Sequence, residues 1–108
     1  MKTLKFREIL ARQILSGEKN STWRFFDEKN LSKGDEVSLL VWENKKEFAK
    51  ARIFSVEEKK LGALNEDDWK GHEKFSSDEE MLSIFSKYYK CEVSKDTLVK
   101  IIKFKLLE

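Results

Sequence analysis

Hydrophobic and polar positions along the chain follow two different periods, and the changes of period mark its elements. Leu4-Lys5-Phe6 reads as a short strand. Phe6, Leu10 and Ile14, with Ile9 and Leu15 beside them, recur at helical spacing, and Gly17 follows where a left-handed residue closes a helix. Residues 21–26 switch to alternation, with Trp23 and Phe25 on one face and Thr22, Arg24 and Phe26 on the other. A polar loop over 27–34 leads to a strand over 36–42. Asn44-Lys45-Lys46 then turns the chain into a strand over 48–56, with Ala49, Ala51 and Ile53 inward and Lys50 and Arg52 outward.

The pattern breaks over 59–74, leaving room for one short helix near 64–69. Ser76-x-x-Glu79 and Ser77-x-x-Glu80 are overlapping capping boxes, so a helix starts there, with Met81, Leu82, Ile84, Phe85, Tyr88 and Tyr89 as its apolar face. Residues 97–106 are rich in β-branched side chains and read as a buried strand. Trp42, Trp69 and the Tyr88-Tyr89 pair are assigned to the core. Strands outnumber helices without alternating with them, which predicts a small α+β domain over 1–108 built on an antiparallel or mixed sheet.

Composition narrows the function classes. In 108 residues, 40% apolar and 12% aromatic content suffices for one core, and no apolar run reaches the length of a membrane span. Met1-Lys2-Thr3-Leu4 lacks the apolar stretch of a signal peptide, so the expected location is cytoplasmic. The 22 basic and 20 acidic side chains leave a net charge of +2, which argues against extensive binding of duplex DNA and for local contacts only. Lys45, Lys46, Lys50 and Arg52 supply a short basic strip for an RNA backbone. Cys91 stands alone, is expected half-buried, and cannot form an internal disulfide. His72 is the one histidine, so a zinc site is not expected, and nothing calls for a cofactor.

The octapeptide Gly17-Glu18-Lys19-Asn20-Ser21-Thr22-Trp23-Arg24 carries the candidate chemistry. Alternation puts Thr22 and Arg24 on one side of a strand, with Lys19 in the turn before them. A hydroxyl between two cations suits an anion, a carbonyl or a nucleotide, because the cations favour developing negative charge and can hold a nearby lysine partly neutral.

The run Gly17-x-Lys19-x-x-Thr22-x-Arg24, then Lys33-Gly34-Asp35, then His72-Glu73 ahead of a helix ending in Tyr88-Tyr89, resembles the ASCH domain family of the PUA-like superfamily. The resemblance implies a small β-barrel of about five to six strands with two to three flanking helices. It also implies a cleft that takes RNA or a modified nucleoside. Some small members of the family are amidohydrolases that deacylate N(4)-acetylcytidine with a lysine, a threonine three residues on, and a glutamate before the last helix. Those positions fall on Lys19, Thr22 and Glu73, where threonine would be the nucleophile, lysine its base and glutamate the acid for the leaving amine. Arg24, Trp23, Phe26 and Trp69 are candidates for holding the substrate. A non-catalytic RNA- or nucleotide-binding module, or a ribonuclease using the same cleft, is the alternative.

Overall fold

The structure is a computed structural model that describes residues 2–26, 29–72 and 74–107. Strands β1 (Lys2–Phe6), β2 (Ser21–Arg24), β3 (Glu36–Val41), β4 (Glu47–Lys60) and β5 (Leu98–Leu106) form one sheet in the order β1-β3-β4-β5-β2. β1 runs parallel to β3 and the other pairs are antiparallel, so the sheet is mixed. It curls into a half-barrel with β1 and β2 at its free edges, flanked by α1 (Glu8–Ser16), α2 (Glu66–Trp69) and α3 (Asp78–Tyr89). This is the α+β architecture that the alternating pattern predicts. None of the helices is long and apolar enough to cross a membrane.

β5 explains why the core has two parts. Its alternate residues Ile102 and Phe104 join Leu4, Phe6, Val37 and Ile53 in one cluster, while Val99 and Ile101 join Trp23, Phe25 and Met81 in another. A strand covered on both faces needs apolar residues at both parities, which Val99 and Ile101 on one side and Ile102 and Phe104 on the other provide. The β2–β5 register places Thr22 opposite Ile102 and Trp23 opposite Ile101. Side chains of directly opposed residues share a face, so Thr22 and Trp23 look to different sides, as the alternation requires.

The turn into β2 is set by backbone geometry. Gly17 has φ +88°, the N–H of Glu18 donates to the Gln13 carbonyl at 2.9 Å, and the N–H of Lys19 donates to the same oxygen at 3.1 Å. The chain therefore doubles back over the end of α1, and the Lys19 side chain is turned inward with only 2% exposure. A left-handed closing residue of this kind costs a glycine little.

Several expectations are corrected. The strand expected over 21–26 ends at Arg24, because Phe26 takes a positive φ of 54° and swings out of the ladder. β4 runs on to Lys60, pairing Val56–Lys60 with β5; its polar residues Glu57, Glu58 and Lys60 face solvent and so read as a loop. Trp42 and Tyr88 are exposed rather than core, and Cys91 is exposed in the turn after α3. Of the two possible caps for α3, Ser77 serves, accepting the N–H of Glu80. Asp27 and Glu28, expected in a loop, lie outside the described residues.

Candidate active site at the seam of the half-barrel

Among the described residues no backbone ladder joins β1 to β2, and the gap between these edges is bridged by a side chain. The Arg24 guanidinium donates to the Lys5 carbonyl at 3.0 Å and lies 4.9 Å above the ring of Phe6. Lys19 lies 6.0 Å from the same ring, and its Nζ donates to the Ser21 carbonyl at 2.7 Å. Phe6 thus offers its ring to both side chains. Among the described residues, neither the buried Nε of Arg24 nor the buried Ser21 hydroxyl has a hydrogen-bond partner.

The seam opens into a cavity of about 560 Å³, within the range of small-molecule sites. Lys19, Thr22, Trp23 and Arg24 line one side of it, with Arg7 from the start of α1 and His72 from the loop after α2. Phe75 and the α3 residues Phe85, Tyr88 and Tyr89 close the other side with aromatic surface. The wall therefore has a cationic end carrying a hydroxyl and an aromatic end, the combination that a nucleobase with a polar edge requires. Thr22 is 5% exposed, so water reaches it only through the cavity mouth.

Two devices hold the aromatic end in place. His72 stacks on Trp23 at 3.9 Å between ring centroids, and Trp69 meets Trp23 edge-on at 4.6 Å. The indole N–H of Trp23 donates to the Asp68 carbonyl at 3.4 Å. The carboxylate of Asp68 closes a capping box with Asn65 and pairs with Lys59 at 2.9 Å. Burial pushes the Asp68 carboxyl upward, but the Asn65 N–H and the Lys59 ammonium outweigh it and hold the group below its ordinary value. The Asp68 carboxylate in turn holds the Lys59 ammonium above its ordinary value, against burial and with help from Glu57.

The second device is Gly71. Its carbonyl accepts the N–H groups of both Asn20 and Ser21, at 3.0 and 3.2 Å, and so pins the His72 loop to the first residues of β2. Its φ is +75°, and a Cβ there would come within 1.8 Å of Asn20 Oδ1. Only glycine fits this contact without strain.

The candidate residues thus separate into groups. Lys19, Thr22, Trp23 and Arg24 share one wall. Glu73 lies outside the described residues, although His72 before it is in that wall. Trp69 stands behind Trp23 as a support and does not line the cavity, and Phe26 lines a neighbouring one. The expected strip of Lys45, Lys46, Lys50 and Arg52 is not in the wall: Arg52 pairs with Glu36 at 2.6 Å and Lys45 sits over the Trp42 ring at 4.1 Å. Arg7, His72 and Phe75 were not foreseen as wall residues. The signal for His72 was its place beside Glu73, which alone does not distinguish a stacking partner from a solvated loop residue.

No family model and no curated protein matches the chain. Solved structures do. Protein EF3133 from Enterococcus faecalis V583 superposes with a TM-score of 0.76 at 21% identity, covering 92% of this chain and 70% of that one. An ASCH domain from Lactobacillus crispatus JV V101 superposes with a TM-score of 0.64 at 17% identity, covering 97% of this chain and 79% of that one. The fold of this chain is that of an ASCH domain. A variant of ZmASCH from Zymomonas mobilis is also similar, with a TM-score of 0.66 at 14% identity over 95% of this chain and 66% of that one. At such identities the likeness is one of ASCH architecture, and the reading of function rests on the residues of the seam.

Proposed function

We propose that this ASCH-fold chain binds a modified nucleoside or RNA in the seam cavity and hydrolyses the exocyclic amide of N(4)-acetylcytidine-like substrates. The observation that supports the reading is the burial of Lys19 and Thr22 together in the wall of one cavity of nucleoside size. The pyrimidine lies against the aromatic end, and its acylated amine points toward the cationic end. The Thr22 oxygen attacks the acetyl carbonyl and passes its proton to the neutral amine of Lys19. Negative charge then gathers on the carbonyl oxygen, where Arg24 stabilises it.

Collapse of this intermediate breaks the carbon–nitrogen bond. The departing amine takes a proton from Glu73, a role proposed from its place in the sequence, and leaves as cytidine. Water then attacks the threonine ester and gives its proton to the Glu73 carboxylate, while the departing Thr22 oxygen recovers its proton from the Lys19 ammonium, so that acetic acid leaves, ionising to acetate in solvent, and both groups return to their starting states. No oxidant or reductant enters the balance. Chromatography of N(4)-acetylcytidine incubated with the purified protein tests the proposal: cytidine and acetate appear in equal amounts. A protein that binds the nucleoside and releases neither is a binding module instead.

A further inference from the structure

A second cavity, of about 610 Å³, adjoins the first and shares Arg7, Arg24, Lys87, Tyr88 and Tyr89 with it. Its wall adds Lys29 and Lys90, so with the three shared cations five cationic side chains face it, and among the described residues of that wall none is acidic. A chain of net charge +2 has gathered this excess at one place, next to the candidate site.

The same wall carries large aromatic side chains that the core does not use. Phe26 is 58% exposed, Tyr88 43% and Trp42 37%. Trp42 and Tyr88 lie 6.2 Å apart, centroid to centroid, and Lys5, Arg7 and Lys45 all lie within 5.8 Å of the Trp42 ring. Exposed aromatic faces beside several cations, with no acidic side chain among the described residues of the wall, fit stacked bases whose phosphates run along the cations. A free nucleoside has no use for such a surface.

We infer that this second cavity takes the nucleotide adjacent to the target in a single-stranded RNA, so that the substrate is a residue within a strand rather than a free nucleoside. The inference rests on the reading of the Lys19–Thr22 cavity as the place of the target base. The phosphate between the two nucleotides lies near Arg7 and Arg24, which with Lys87 are the cations common to both cavities, and the neighbouring base stacks on Trp42 or Tyr88.

Fluorescence anisotropy of fluorescein-labelled pentacytidylate RNA, with unlabelled cytidine and cytidine 5′-monophosphate as competitors, tests it on the intact protein. The pentanucleotide should bind about ten-fold or more tightly than cytidine, as stacking and phosphate contacts together imply. Trp42→Ala should weaken the RNA about five-fold or more and leave cytidine unaffected. Lys90→Gln, an exposed change that cannot disturb the core, should lower the salt dependence by one phosphate contact. RNA no tighter than cytidine, or RNA binding unchanged in both variants, overturns the inference. Monophosphate as tight as the pentanucleotide overturns it too, since a single phosphate would then account for the affinity. If N(4)-acetylcytidine is not hydrolysed while RNA binding behaves as described, the amidohydrolase reading fails and the strand path stands.

Discussion

The imidazole of His72 lies flat on the indole of Trp23, with 3.9 Å between centroids and 14° between planes. This stack joins the loop after α2 to the strand that carries Thr22, and it forms the floor of the aromatic end. His72→Ala should remove about 0.5–1.5 kcal/mol of ring contact and open the floor to water. The expected result is a KM raised several-fold with kcat nearly unchanged, measured on N(4)-acetylcytidine. A fall in kcat alone would place His72 in the chemistry rather than in the floor.

Gly71 is the hinge pin of the same loop. Alanine there must adopt a left-handed backbone and must displace Asn20, whose Oδ1 lies 1.8 Å from where the alanine Cβ would stand. Gly71→Ala should destabilise the fold by about 1–2 kcal/mol, seen as a lower urea midpoint with unchanged slope. Because the displaced residue sits next to Ser21 and Thr22, substrate binding should fall as well.

Asp68 ties Trp23 to α2, and its charge makes that tie sensitive to pH. Its carboxyl titrates below the ordinary value in the folded chain, so its contribution is present above the unfolded value near 3.8 and is lost as pH falls through the folded one. Lys59 titrates above the ordinary 10.5, so its contribution is present below that value and is lost as pH rises through the folded one. The contribution of this pair should therefore be level between these limits. Asp68→Ala should cost about 1.5–3 kcal/mol at neutral pH and flatten the acid limb of the denaturation curve. An acid limb identical to that of the unsubstituted chain would show that other carboxylates control it.

Much of this was legible in the sequence where local chemistry and tertiary packing agree. Alternation separated Thr22 and Arg24 from Trp23, Gly17 marked the end of α1, and the serine–glutamate spacing marked the start of α3. It was not legible where long-range pairing decides. The end of β4 is polar and largely exposed, and Lys59 is held there by Asp68 of α2. Trp42 and Tyr88 look like core residues by type, but their exposure depends on where β3 and α3 end relative to the seam. Spacing likewise shows that Lys50 and Arg52 share a side, but not where that side lies relative to the cavity.

The most direct test of the account is the rate of cytidine release from N(4)-acetylcytidine by the unsubstituted chain, Lys19→Ala, Thr22→Ala, the double variant and Lys19→Arg. If threonine is the nucleophile and lysine its base, the two single alanine variants each lose nearly all turnover, and the double variant is scarcely worse than either. Lys19→Arg is also inactive, because a guanidinium cannot accept the proton near neutral pH. Full activity in Lys19→Arg, or in Thr22→Ala, would contradict the account.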